Sequence, residues 1–352
     1  MNLLYILLAL LAFGVMIFLH ECGHFLTARL FGVTVKEFSM GMGPCLVSYT
    51  AKKSGTVYKL CAFPIGGYVS MAGEDEESDD PNALGKKPAW QRLIIMATGG
   101  LVNLLFGFLV MLLCVALVSG SSLTTPKIAS FPTREDGRVT KSYAAGLREG
   151  DVILSVDGRQ IHIGGELDYE IMRRGIEPVT LVVLRDGREL IFKDFSFPTY
   201  EENDQLLGGR DFYLATEEGS LGAVLRHAFY RSTMTVRMVW ESLFDLITGR
   251  FGLEAVSGPV GVTGAMVETA KTGIENFLYL VAVISLNLGV VNLFPLPALD
   301  GGRILFLLIS MAIRRPIPEK VEGIVHFVGI LLLFSLMILI TGKDIINLFR
   351  GS

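Results

Sequence analysis

Charged residues are scarce in this chain. Asp, Glu, Lys and Arg make up 19% of its 352 residues against 51% hydrophobic ones, and the mean hydropathy is +0.51. That balance excludes an ordinary soluble domain, in which roughly a quarter of residues are charged. Positive charge is short as well: 31 Lys and Arg against 35 Asp and Glu leave a net −4, which gives no electrostatic footprint for nucleic acid. Only four cysteines are present, Cys22, Cys45, Cys61 and Cys114, all in the first third of the chain. Their spacing fits neither a CxxC zinc pattern nor a secreted disulfide scaffold, so they read as free thiols. No Lys or Arg precedes Arg29, and the opening apolar run therefore does not read as a cleaved signal peptide.

What the chain has instead is long uncharged stretches, and four are long enough to cross a bilayer. The first runs from about Leu3 to Leu30, and the second from about Leu93 to Val118. A third, from about Phe277 to Leu299, is interrupted at Pro295 and Pro297 and resumes as Ile304–Ile313. The fourth runs from about Ile324 to Ile340. The expected fold class is a polytopic α-helical membrane protein with about four transmembrane helices. Lys36, Lys52, Lys53, Lys59, Lys86, Lys87 and Arg92 fall in the first loop, and Arg314, Arg315 and Lys320 in the last. Basic loops stay cytoplasmic. This orientation puts both chain ends and the segment from about Gly120 to Glu275 outside the cell, in a multi-pass protein of the inner or plasma membrane. The acidic run at 74–80 dilutes the first loop's charge but weighs little in that rule.

Residues 3–19 carry no charge, and then His20-Glu21-Cys22-Gly23-His24 follows. HExxH on a helix sets two imidazoles on one face beside a carboxylate, the arrangement that holds Zn²⁺ and activates water. Ionisable groups at membrane depth are a functional signal by default. A five-residue pattern also recurs by chance, and a polar helix end is the plain alternative. Catalytic zinc usually takes three protein ligands. The candidate third is Asp300, in Asn292-Leu-Phe-Pro295-Leu-Pro297-Ala-Leu-Asp300-Gly301-Gly302. Two prolines unwind the segment and two glycines let the backbone turn. Irregular backbone at membrane depth is tolerated only where protein or a cavity surrounds it. The alternative for Asp300 alone is a helix-end ion pair with Arg303. Cys22, inside the motif, reads as a small packing residue, and His162, His227 and His326 fall outside ligand spacing and read as structural.

Between the second and third spans the composition becomes that of a soluble domain. In Ala145-Gly-Leu-Arg-Glu-Gly-Asp151-Val-Ile-Leu-Ser-Val-Asp157-Gly158, Gly146 and Gly150 mark turns, VILSV reads as a strand, and Asp157-Gly158 signals a hairpin. A second hairpin is expected at Asp186-Gly187, between Val179–Leu184 and Glu189–Phe192. This stretch resembles a PDZ domain, a module that captures extended peptides or chain termini at a sheet edge. Steric gating without any peptide is the alternative. From Ser220 to Gly249, Leu221, Val224, Leu225, Phe229, Met234, Met238, Leu243 and Ile247 interleave with Arg226, Arg231, Arg237 and Asp245. That pattern predicts a helix, lying on the leaflet surface or packing between the insert and the spans.

HExxH in a first span with NxxPxxxLDGG in a later one resembles the site-2 protease family of intramembrane zinc metalloproteases, in its bacterial form with one PDZ-like insert. The resemblance covers nearly the whole chain, including Phe38–Pro44, Pro64–Val69, Gly99-Gly-Leu-Val-Asn103 and Ser257-Gly-Pro-Val-Gly261. It implies His20, His24 and Asp300 as Zn²⁺ ligands and Glu21 as general base, with the active site near the cytoplasmic side. It further implies that Asn287 and Asn292 hold substrate backbone or a developing oxyanion; interhelical hydrogen bonding is their alternative. Val33–Val69, which alternates as β structure, would be a membrane-associated hairpin able to pair with an unwound substrate, though a cytoplasmic cap on the first span fits the residues equally. The implied organisation is 1–119 for the first two spans and the β region, 120–200 for the PDZ-like domain, 201–275 for a juxtamembrane connector and 276–352 for the last spans. The implied activity is cleavage of single-span membrane proteins in regulated intramembrane proteolysis, such as anti-sigma factor or signal-peptide remnant processing. A catalytically idle peptide-binding scaffold and a broken-helix transporter are the competing classes. The intact HExxH and the absence of an evident internal repeat weigh against them.

Overall fold

The computed structural model describes residues 3–74, 78–118, 123–133, 139–202, 205–249, 258–315 and 317–350. In chain order it runs α1 (Leu3–Leu30), β1 (Val35–Thr50), β2 (Val57–Met71), α2 (Ala89–Val118), β3 (Leu123–Ser130), α3 (Lys141–Ala144), β4 (Val152–Val156), β5 (Arg159–Gln160), α4 (Gly164–Arg174), β6 (Val179–Arg185), β7 (Arg188–Phe195), β8 (Thr199–Glu202), β9 (Gln205–Gly208), β10 (Tyr213–Glu217), α5 (Leu221–Ile247), α6 (Pro259–Thr272), α7 (Ile274–Leu293), α8 (Asp300–Ile313) and α9 (Glu319–Arg350). These elements form two compact units, 1–110 with 235–352, and 111–234. Several features read from sequence lie outside the described residues. They are residues 75–77 of the acidic run, 120–122 at the start of the insert, Ser257 of the SGPVG phrase, and the side chains of Pro64, Ile65 and Ile247.

Among the described residues four helices are long and apolar enough to span a bilayer: Leu3–Leu30, Ala89–Val118, Ile274–Leu293 and Lys320–Ile346. At 28 residues, α1 is about 42 Å long, more than the roughly 30 Å hydrocarbon core requires. Leu101, Leu105 and Leu109 recur every fourth residue on α2 and are exposed, as are Phe327, Leu331, Phe334 and Ile338 on α9. Apolar stripes like these suit a lipid surround. α1 ends in a Schellman motif: Gly32 has φ +67°, its N–H reaches Arg29 O, and the Val33 N–H reaches Ala28 O. The chain turns there into β1. β1 and β2 pair antiparallel, and both bend, so residues 37–40 meet 67–70 of β2 on one side and 57–60 on the other. Segment 67–71 is left as an outer edge.

α2 and α7 approach through small residues. A Cβ on Gly289 would lie 2.8 Å from Gly100 O, and one on Gly107 would lie 3.0 Å from Ala282 O. This is the close packing that membrane helices use in place of a hydrophobic drive. Asp344 of α9 explains the SGPVG phrase. Its Oδ2 accepts from Gly258 N (2.9 Å) and Gly261 N (2.8 Å), satisfying free donors at the start of α6.

The other unit carries a sheet of order β10-β3-β4-β6-β7, with β5 paired to β4. Ile128, Ile153, Leu181 and Val183 of the sheet pack with Leu167 and Ile171 of α4 and with Leu147. Both expected hairpins form. Asp157 and Gly158 have φ +47° and +74°, and Asp186 and Gly187 have +49° and +76°, the paired positive angles of type I′ turns. Asp151 is fully buried and accepts from Arg185 Nε (2.7 Å), Arg185 Nη2 (2.7 Å) and Arg148 N (2.9 Å). The sheet runs past the limit expected at residue 200. β10 pairs with β3, and the β8–β9 hairpin precedes it. β10 is short and only Leu214 in it is buried, so its sequence carried little strand signal.

Candidate metal centre

The HExxH spacing does on α1 what helical geometry requires. His20 and His24, one turn apart, meet edge to face with ring centroids 4.9 Å apart, and their Nε2 atoms are 3.3 Å apart. His24 donates from Nδ1 to the carbonyl of Ile95 at 2.8 Å, which leaves Nε2 with a free lone pair when the ring is neutral. Asp300 Oδ2 lies 3.3 Å from both Nε2 atoms, and that oxygen is buried without a hydrogen-bond partner among the described residues. The two imidazoles and the carboxylate form a close cluster of metal-ligand type.

These atoms fit a zinc ion. With bonds of 2.0–2.1 Å, neighbouring ligands of a tetrahedral zinc are about 3.3–3.4 Å apart. All three edges of the triangle are 3.3 Å. Three electron-rich atoms facing one another would repel without a cation among them. Gly99 of α2 packs on the imidazoles, and a Cβ there would lie 2.2 Å from His24 Nε2 and 2.8 Å from His20 Cε1. Only glycine leaves the rings in place.

Asp300 is delivered by the expected interruption. α7 stops at Leu293, Pro295 and Pro297 occupy the break, and α8 begins at Asp300. Gly301 and Gly302 let α8 seat on that loop, since Cβ atoms there would lie 2.2 Å from Phe294 O and 2.4 Å from Leu296 O. α9 clamps the loop from the other side. Gly329 packs on Pro297, and the Ala298 N–H donates to His326 Nδ1 at 3.0 Å while Ala298 holds φ +74°. Arg303 pairs with Glu74 and not with Asp300, so the helix-end ion pair considered for Asp300 does not form.

Glu21 is buried, and a cavity of about 380 Å³ opens beside it, lined also by Tyr68, Val69, Ser70, Met71 and Glu74. Asn292 Nδ2 lies 3.4 Å from His20 Nδ1. Asn287 is exposed. Five residues turn a helix by about 140°, so these two amides face different ways. Cys22 packs against the apolar cluster that includes Val35, Phe38 and Met96. His162 stacks on Tyr230 and His227 bonds to Glu217, both in the other unit, as structural residues do. His326 is more than that: it holds the loop that presents Asp300. Asn103, whose Nδ2 lies 3.5 Å from His20 Nδ1, was also missed as a site residue, as were Gly99 and Glu74. Asn103 and Gly99 stand in the Gly99-Gly-Leu-Val-Asn103 phrase, and nothing in the sequence near Glu74 signals its role.

Membrane-spanning helices around a two-histidine, one-carboxylate cluster define the class of membrane-embedded metalloenzymes. The model of peptidase family M50 matches residues 8–336, and this chain belongs to that family, the site-2 proteases. It is a zinc metalloendopeptidase. A Clostridium perfringens protein named as a zinc metalloprotease is 36% identical over 97% of this chain and 99% of its own length. The sigma-W-regulating protease RasP of Bacillus subtilis is 30% identical over 97% of this chain and 98% of its own. The zinc metalloprotease RasP of Bacillus licheniformis is 28% identical over 97% and 98%.

Proposed function

We propose that this protein cleaves single-span membrane proteins at membrane depth, with His20, His24 and Asp300 as the zinc ligands and Glu21 as general base. The observation that carries the reading is the 3.3 Å triangle of ligand atoms beside the buried Glu21. Zinc held there would act as a Lewis acid, acidifying water and polarising the scissile carbonyl. Glu21 takes a proton from the attacking water and returns it to the leaving nitrogen. Asn292, in contact with His20, and Asn287, five residues earlier on α7, are the residues proposed to hold substrate backbone. A transmembrane helix must unwind before its peptide bonds can be cut, and its freed backbone groups need partners. The edge segment 67–71 supports that role, because Tyr68, Val69, Ser70 and Met71 line the cavity and an edge strand can accept another.

The second unit is proposed to be a PDZ-type domain on the extracytoplasmic side, with the active site toward the cytoplasm. Its two type I′ hairpins, α4 and the Gly146–Asp151 turn support that assignment. Such a domain would admit substrates already shortened outside the membrane, anti-sigma factors or signal-peptide remnants among them. The test is cleavage of a truncated single-span substrate by purified protein, beside Glu21→Gln and beside chelator-treated enzyme. Cleavage lost in both controls is the expected result. An uncut substrate in all arms, with zinc bound, would move the reading to a peptide-binding scaffold.

A further inference from the structure

The two imidazoles of the cluster are supported unequally. His24 donates from Nδ1 to a main-chain carbonyl, which fixes its tautomer. His20 must do the same if its Nε2 is to face the cluster with a lone pair: the ring proton then sits on Nδ1 and needs an acceptor. Around His20 Nδ1, however, stand two amide nitrogens, Asn292 Nδ2 at 3.4 Å and Asn103 Nδ2 at 3.5 Å. Three donors cannot satisfy one another. An amide oxygen and nitrogen exchange places by a half-turn of the side-chain end, at almost no change in shape.

We propose that Asn103 is the positioning residue of His20, with its amide turned so that Oδ1 accepts the Nδ1 proton. Asn103 is 1% exposed, and its Oδ1 is buried with no hydrogen-bond partner among the described residues. One half-turn therefore satisfies both an orphaned acceptor and an orphaned donor. The backbone of Asn103 is held in register for this task. Ser285 Oγ of α7 donates to Asn103 O at 2.8 Å, beside the close approach of Gly100 and Gly289. Asn292 is only half-buried and is left free to hold substrate. Asn103 thus acts on the reaction through His20 and touches neither substrate nor metal.

This inference rests on the zinc-ligand reading, and metal binding tests the two separately. Zinc affinity is measured by chelator competition on the full-length protein in detergent, with the cobalt-substituted absorption spectrum as a second readout. Asn103→Leu keeps the size and removes the acceptor; its zinc affinity is expected to fall about 10–100-fold, with a shifted cobalt band. Asn103→Asp offers only acceptors and is expected to bind as tightly as wild type or tighter. If the Leu variant does not fold, the Asp variant decides alone. Asn103→Leu with unchanged affinity and spectrum would overturn the proposal, and so would Asn103→Asp as weak as Leu, since His20 would then have been using the amide N–H. His20→Ala with wild-type affinity would overturn the ligand reading beneath it.

Discussion

Asp151 and the Oδ2 atom of Asp300 are both withdrawn from solvent, one in each unit, and their surroundings are opposite. Asp151 is fully buried, and its oxygens take two bonds from Arg185 and one from the Arg148 N–H. Among the described residues Asp300 pairs with no Lys or Arg, and its Oδ2 faces two imidazole nitrogens at 3.3 Å. A satisfied buried carboxylate is scaffold, because its charge is already neutralised where it sits. A carboxylate held against two other lone pairs is costly until a cation joins it, and only a rigid frame keeps it there. Gly99, Gly301, Gly302 and Gly329 supply that frame by letting backbone approach where a side chain would intervene.

The largest test of the contrast separates chemistry from metal binding. Glu21→Gln should lower cleavage of a single-span substrate by about 10²–10⁴-fold while the zinc content stays as in wild type. Loss of zinc in that variant would make Glu21 a ligand instead. Next comes the frame. Gly99→Ala pushes a methyl against both imidazoles, and chelator competition should show zinc held about 10–100-fold more weakly. Wild-type affinity there would mean that the helices yield easily and that close packing does not hold the rings in place.

The third test addresses the scaffold aspartate. Arg185→Met strands the Asp151 charge and should destabilise the second unit by about 3 kcal/mol, the low end of the buried-pair range because Arg185 is 30% exposed. Denaturant titration followed by hydrogen exchange of β4 and β6 peptides measures it, and zinc content should not move. The smallest effect is set by pH. Burial holds the His227 imidazole below its ordinary 6.5, outweighing the attraction of Glu217. Burial raises the Glu217 carboxyl, but hydrogen bonds from His227 and Arg226 prevail and hold it below its ordinary 4.5. For both groups the unfolded chain binds more protons, so this unit's stability is full above about pH 6.5 and declines as pH falls below it. Exchange of β10 and α5 amides, corrected for intrinsic rate, should quicken between about pH 7.5 and 5.5. Equal protection at both would remove His227 from the account.

Much of this was legible in the residues because the signals are local. Uncharged runs announced the spans, Asp-Gly pairs the type I′ hairpins, and Pro295 with Pro297 the break before Asp300. HExxH is legible for the same reason, since four residues make one helical turn. The partners of those residues were not legible. Ile95 serves His24 through a main-chain carbonyl, which no side chain advertises. His326 reaches back 28 residues to Ala298, and Arg303 chooses Glu74 from 229 residues away. β10 was missed because its pairing with β3 is fixed by position in the sheet, with a single buried side chain to mark it.

The most direct test of the central claim is the zinc content of purified Asp300→Asn beside wild type. Asparagine keeps the shape and removes the negative ligand oxygen. One zinc per wild-type chain, and far less than one in the variant with its fold intact, is the result expected. One zinc per chain in both would contradict the account, because Asp300 would then not be a ligand the metal needs.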